Sequence, residues 1–100
     1  MKSRPVVYHP GARVEALEAF IWYEERQPGL GERFQHALLA AEEFITVNPQ
    51  LGLPFEYGTR RWRLNDFPYK VIYLESPDRL KVVAVMHDSR QPEYWAARLD

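Results

Sequence analysis

The first half of the chain carries apolar residues at helical spacing. The first amphipathic stretch spans residues 12–27, and its expected core-facing stripe is Val14, Leu17 and Ile21, with Phe20 beside it. We expect the opposite side, with Glu15, Glu18 and Glu25, to face solvent. Pro28 and Gly29 then end this helix and permit a tight reversal.

A second helix is predicted over residues 30–47, before the helix-ending pair Asn48-Pro49. Its apolar stripe is Leu30, Phe34, Ala37, Leu38, Ala41, Phe44 and Ile45. Because the connecting turn is short, the two helices must lie nearly antiparallel as a hairpin. Residues 49–59 are rich in proline and glycine, which predicts a loop whose apolar residues hold it against the domain.

The remaining pattern is that of strands. Residues 4–9 predict a short first strand, and residues 60–87 predict three consecutive antiparallel strands. In the first of these three, Arg61 and Arg63 alternate with Trp62 and Leu64, so one face is cationic and the other apolar. The last of the three, over residues 80–87, is apolar on both faces, which indicates a position inside the sheet.

These elements predict an α+β fold. The order β-α-α-β-β-β gives a small antiparallel sheet with a two-helix hairpin packed on one face. Pro92 cannot continue a strand, so residues 93–99 are expected to form a short C-terminal turn or helix. With 100 residues, the chain is expected to be one domain over residues 1–100.

Composition narrows the possible functions. The chain has no cysteine, which excludes a disulfide framework, a thiolate metal site and a cysteine nucleophile. Its net charge of −1 gives no overall basic field for nucleic acid, although residues 60–70 hold four basic residues against Asp66. No apolar run is long enough for a membrane span or a signal peptide, so neither is expected.

Five pieces of the sequence, in this order and spacing, resemble the RelE/ParE superfamily of type II toxin–antitoxin toxins, closer to its ParE side. The first is the strand Val6-Val7-Tyr8, followed at once by a helix. The second and third are the hairpin phrase YEERQPGLGERF, at residues 23–34, and the Asn48-Pro49 boundary. The others are Arg63 with FPYKVIY and VVAVMH, and the closing RQPEYW with Arg98.

The resemblance implies a small bacterial toxin of the cytoplasm that is neutralised by a cognate antitoxin, whose other end binds operator DNA. Growth inhibition and plasmid stabilisation are the associated roles. ParE-like members poison DNA gyrase by binding, whereas RelE-like members cleave mRNA, commonly on the ribosome. Because one fold serves both mechanisms, the fold alone does not choose between them.

A metal-independent ribonuclease needs a proton acceptor, a proton donor and cations beside the phosphate. The candidate catalytic residues for this alternative are Arg63, His87, Arg90 and Tyr94, with further charge from Arg61. Each also has a structural interpretation: strand alternation places His87 beside Val83 and Val85, where it can simply be a hydrogen-bonded strand end. The low net charge favours binding over ribonuclease activity, and a degenerate, non-toxic member is a further alternative.

Residue type also predicts which side chains bind the target and which bind the antitoxin. Four arginines are predicted to bind the target: Arg60, Arg61, Arg63 and Arg90. Three aromatic residues are predicted to bind the antitoxin, which is expected to add a strand to a sheet edge or to lay a helix on the hairpin: Trp22, Tyr23 and Trp95. No cofactor is expected, and the spacing of His9, His36 and His87 does not predict a metal site.

Overall fold

The computed structural model describes residues 4–91 and 93–99, so the predicted role of Pro92 lies outside the described residues. Two helices, α1 (Pro10–Arg26) and α2 (Leu30–Val47), pack on one face of a sheet. The strands are β1 (Val6–Tyr8), β2 (Leu53–Pro54), β3 (Arg60–Arg63), β4 (Tyr69–Glu75) and β5 (Leu80–His87). No helix in the described part of the chain is long and apolar enough to cross a membrane.

The predicted α+β class is confirmed, with two corrections to the sheet. Its order is β1-β5-β4-β3-β2, so β5 lies inside the sheet as expected. The sheet is mixed rather than antiparallel, because β1 runs parallel to β5. The second correction is β2, a two-residue strand that pairs with β3 inside the stretch predicted to be a loop.

Helix α1 buries a different face from the one predicted. Val14, Leu17 and Ile21 are 52%, 59% and 44% exposed, whereas Ala12 and Ala19 are buried. Small alanine side chains let the helix approach β5 so closely that the carboxylate of Glu15 accepts a hydrogen bond from the backbone N–H of Val85, at 2.9 Å. The prediction that Glu15 faces solvent was therefore wrong, and the larger aliphatic residues form an exposed apolar stripe.

Helix α2 has the predicted boundaries and buries most of the predicted stripe. Phe34, Leu38, Ala41 and Ile45 are buried in the main core, together with residues from β4 and β5. Phe44 is the exception: it is 55% exposed and lies beside Trp62 of β3, with ring centroids 6.2 Å apart. The edge of the hairpin therefore carries exposed apolar surface near β3.

A second apolar cluster covers the outer face of the sheet, which is the face away from the helices. Ile72, Ala84 and Met86 are buried there beneath Trp95, with Phe55 and Leu99 packed against them. The C-terminal segment, which includes a 3₁₀ turn at Ala96–Arg98, thus packs on the sheet as the predicted short turn or helix. Trp95 has no exposed surface and serves as the centre of this small outer core.

The segment before β3 is held by one buried tyrosine. The Tyr73 hydroxyl donates to the carbonyl oxygen of Pro49 (2.7 Å) and accepts from the N–H of Gly52 (2.9 Å). A β-carbon at Gly52 would lie 2.2 Å from that hydroxyl oxygen, so this close approach requires glycine. Tyr73 therefore positions the start of β2 relative to the sheet.

Candidate functional site

A groove of about 540 Å³, the α1–β5 groove, lies between helix α1, the open edge of β5 and the loop after β5. The groove exists because the three residues of β1 pair only with Leu80, Lys81 and Val82. Its lining comprises Glu15, Glu18, Ala19, Trp22, Tyr23, Pro68, Tyr69, Val85, His87, Ser89 and Arg90. Four of the residues predicted to have functions, Trp22, Tyr23, His87 and Arg90, therefore share one surface.

Side chains from α1 and the C-terminal segment occupy the backbone positions that β1 does not reach. Arg98 donates to the carbonyl oxygen of Val83 at 3.0 Å and to both carboxylate oxygens of Glu15 at 3.2 and 3.0 Å. A β-carbon at Gly11 would lie 2.5 Å from the guanidinium carbon of Arg98, so any side chain there would displace the guanidinium. This cluster joins α1, β5 and the C-terminal segment behind the groove.

His87 presents a hydrogen-bond donor to the groove. Its Nδ1 accepts from the backbone N–H of Ser89 at 3.0 Å and lies 2.8 Å from the Ser89 hydroxyl, so the neutral ring carries its proton on Nε2. The ring also packs edge-on against Tyr69, with centroids 4.9 Å apart. A strand bulge at Val83 places that residue in the outer cluster, so His87 shares the helix-facing side with Val85 and not with Val83.

Arginine–aromatic pairs border the groove. The guanidinium of Arg26 lies 3.5 Å from the ring centroid of Trp22, and that of Arg90 lies 3.8 Å from the ring centroid of Tyr94. Trp22 is 50% exposed. Exposed tryptophan, tyrosine and arginine are the residue types that contribute most to protein interfaces.

In the C-terminal segment, the hydroxyl of Tyr94 and the whole side chain of Trp95 are buried. The Tyr94 hydroxyl lies beside the Glu15 carboxylate outside hydrogen-bond geometry, and burial and that carboxylate raise the pKa of Tyr94. Trp95 is fully buried under the outer face of the sheet. A partner can therefore reach part of the Tyr94 ring but neither its hydroxyl nor any part of Trp95.

A second groove, of about 660 Å³, lies at the edge of β3 and is named here the cationic groove. It is lined by Leu51, Leu53, Arg61, Trp62, Arg63 and Lys70. Its cations share the outer face of the sheet, since Arg61 pairs with Ile72 and Arg63 with Lys70. Trp62 faces the helices instead.

Asp88 neutralises part of this charge. Arg63 donates to its two carboxylate oxygens at 3.0 and 2.9 Å, and the ammonium nitrogen of Lys70 lies 3.5 Å away. The hydrogen bond from Arg63 is the main reason why the pKa of Asp88 is lowered. Arg60 is bound elsewhere, to the carbonyl oxygen of Gly52 at 2.7 Å and the side chain of Gln50 at 2.8 Å.

The four candidate catalytic residues do not converge on one point. Arg63 and His87 lie on opposite faces of the sheet, the Tyr94 hydroxyl is buried, and Arg90 stacks on the Tyr94 ring. The arginines predicted to bind the target are likewise divided, with Arg90 in the α1–β5 groove and Arg61 and Arg63 in the cationic groove. Within residues 4–91 and 93–99, no group of three or more His, Asp or Glu side chains could hold a metal ion.

Sequence reasoning missed three residues that organise these surfaces: Glu15, Lys70 and Asp88. The alanine spacing at Ala12, Ala16 and Ala19 was a signal that this side of α1 is buried, which would have drawn attention to Glu15. For Asp88 the partner is 25 residues away in sequence, and no local pattern indicates the pair.

Comparisons with known proteins match most of this chain. The model of one protein family, described as the ParE toxin of the type II toxin–antitoxin system parDE, matches residues 6–92. Among solved structures, a chain of the chromosomal ParDE TA system from P. aeruginosa aligns with a TM-score of 0.75 at 11% identity. That alignment covers 85% of this chain and 96% of the other, and at this identity it shows a shared fold. No curated protein matches the sequence.

Proposed function

The chain belongs to the ParE toxin family of type II toxin–antitoxin systems, and from this premise we propose that it inhibits growth by binding a DNA-metabolism protein such as DNA gyrase. The family implies an antitoxin partner, and we propose that a cognate antitoxin neutralises the chain in the cytoplasm. Operator DNA is contacted only through that antitoxin. No cofactor takes part in this mode of action.

The observation that carries the proposal is the separation of the candidate catalytic groups. A ribonuclease transition state needs a base, an acid and free cations within reach of one phosphate. Here His87 offers a donor from the helix-facing side of the sheet, while Arg63 is paired with Asp88 on the other side. This arrangement supports recognition of a partner rather than cleavage of RNA.

We place the target-binding surface in the α1–β5 groove, with Arg90 as a principal contact. Trp22 and Tyr23, the predicted antitoxin-binding residues, line the same groove. An antitoxin bound to them would cover Arg90, so the toxin would be neutralised by direct occlusion. The exposed stripe of Val14, Leu17 and Ile21 extends this surface along α1, since contiguous exposed apolar surface marks an interface.

A second candidate, a metal-independent mRNA endoribonuclease, is favoured by one observation. Arg61, Arg63 and Lys70 lie together on the outer face of the sheet, where they would attract a phosphate backbone. A degenerate member that binds an antitoxin without being toxic is the third possibility. The target and the reaction are thus the points that an experiment must decide.

The experiment induces the chain in bacteria with and without the neighbouring antitoxin gene, and follows growth, reporter-plasmid supercoiling and mRNA 5′ ends in the same cultures. We expect growth arrest and loss of negative supercoiling, both reversed by the antitoxin, without new mRNA ends. New ends that disappear in Arg63→Ala and Tyr94→Phe would establish the ribonuclease instead. Unaffected growth with a stable antitoxin complex would indicate the non-toxic member.

A further inference from the structure

The turn after β5, residues 88–91, borders both grooves. Ser89 and Arg90 line the α1–β5 groove on the helix-facing side of the sheet. The carboxylate of Asp88 points the other way and pairs with Arg63 of the cationic groove. Residues that are adjacent in the chain thus contribute to two surfaces on opposite sides of the sheet.

Polar contacts hold this turn in place. All four of its residues are exposed, and none of these described residues belongs to either apolar cluster. The backbone N–H of Asp88 donates to the carbonyl oxygen of Pro68 at 2.9 Å, and the guanidinium of Arg90 lies on the ring of Tyr94. The carboxylate of Asp88 supplies the remaining ties to the sheet. A segment with so few buried apolar contacts opens locally at a low cost in free energy.

Asp88 occupies the position of a bound anion. Its carboxylate accepts two hydrogen bonds from Arg63, at 3.0 and 2.9 Å, and lies 3.5 Å from the ammonium nitrogen of Lys70. Two cations that converge on one group form a site for a compact anion rather than for a long chain. Arg61 adds a third cation to the groove and forms no ion pair within the described residues.

The internal ion pair is weak enough to be replaced. The side chains of Arg63 and Asp88 are 58% and 34% exposed, and an ion pair at this exposure contributes little to stability because water screens it. A phosphate group carries more negative charge and more acceptor oxygens than a carboxylate. Such an anion would therefore compete with Asp88 for the same cations.

We propose that Asp88 acts as a tethered anion in the cationic groove, and that a compact multivalent anion of the phosphate class displaces it from Arg63 and Lys70. Displacement removes the contact that ties the turn to β3 and β4, so Ser89 and Arg90 become more mobile in the α1–β5 groove. By thermodynamic linkage, a partner that immobilises Arg90 changes the affinity of the cationic groove for the anion by the same factor. This inference goes beyond the proposed function, because it assigns a ligand class and a coupling between two surfaces whichever protein the toxin inhibits.

An NMR titration of the isotopically labelled chain with tripolyphosphate tests the proposal. We expect saturable shifts of the Arg63 side-chain and Lys70 backbone N–H signals. The backbone N–H signals of Ser89 and Arg90 should shift along the same saturation curve and exchange their hydrogens faster. Sodium chloride at matched ionic strength should give no saturable shift.

Two results of this titration would overturn the proposal. Shifts at Arg63 and Lys70 with none at Ser89 and Arg90 would show that the two grooves are independent. No saturable shift with tripolyphosphate, or a response only to an oligothymidylate at equal phosphate concentration, would show that the groove is not a site for a compact anion.

A charge-removing variant separates the coupling from simple anion binding. Asp88→Asn should bind tripolyphosphate about two- to fivefold more tightly, and its Ser89 and Arg90 amides should exchange rapidly before any anion is added. The matched control is Asp78→Asn, which removes the same charge from the exposed turn before β5 and should behave as the wild type. Unchanged exchange in Asp88→Asn, or an equal effect in Asp78→Asn, would refute the role of Asp88. The wild-type titration decides the proposal even if Asp88→Asn does not fold.

Discussion

Replacing Glu15 with alanine is expected to lower the free energy of unfolding by about 3 kcal/mol. The carboxylate of Glu15 accepts hydrogen bonds from the backbone of Val85 and from Arg98, and the two charged side chains are only 10% and 19% exposed. Breaking a buried ion pair costs about 3–5 kcal/mol. We take the lower end because Arg98 keeps the carbonyl oxygen of Val83 as a partner.

Urea denaturation followed by circular dichroism measures this change in the free energy of unfolding. In a thermal melt, the same change should lower the melting temperature of a domain of this size by about 12–24 °C. Glu18→Ala, on an exposed position of the same helix, is the control and should stay within about 0.5 kcal/mol of the wild type. In a double-mutant cycle, Arg98→Ala should lower the free energy of unfolding much less in the Glu15→Ala background than in the wild type. A Glu15→Ala variant as stable as Glu18→Ala would show that the cluster does not stabilise the fold.

Three further predictions concern other contacts. Tyr73→Phe removes both hydrogen bonds to Pro49 and Gly52 and should destabilise the chain by about 1–3 kcal/mol in the same urea assay; an unchanged midpoint would contradict that role. His9 caps α1, because its Nδ1 accepts a hydrogen bond from the backbone N–H of Gly11. The pKa of His9 is lowered, mainly by burial and to a smaller extent by the positive charges of Arg98 and Lys81. Since the unfolded chain then binds the proton more readily, stability should fall as pH drops through about 6.5, and His9→Asn should lose that part of the pH dependence. In binding assays with the antitoxin, Trp22→Ala should weaken the complex by about tenfold or more, whereas Val7→Ala, on the distant strand β1, should not.

The sequence predicts the elements of this fold well wherever large apolar residues mark the buried side. Helix α2 is the clear case, because Phe34, Leu38 and Ile45 point into the core. For helix α1 the same reasoning predicts the wrong buried side, because alanine residues pack against β5 and the larger aliphatic residues stay exposed. Strand β2 cannot be recognised from the local sequence pattern, because it has only two residues and one of them is proline.

The candidate site was predictable as a set of residues but not as a geometry. The residues Trp22, Tyr23, His87 and Arg90 do share a groove, which the sequence could not indicate because α1 and β5 meet only in the folded chain. Trp95 was expected at a surface, yet it is fully buried at the centre of the cluster that covers the outer face of the sheet. The pairing of Arg63 with Asp88 depends on the neighbouring positions of β3, β4 and the loop after β5.

A supercoiling assay with purified DNA gyrase tests the central claim most directly. We predict that the purified toxin inhibits supercoiling at micromolar concentration, that Arg90→Ala weakens this inhibition, and that Arg33→Glu leaves it unchanged. Gyrase that remains fully active at saturating toxin, while the same preparation cleaves mRNA, would contradict the proposal.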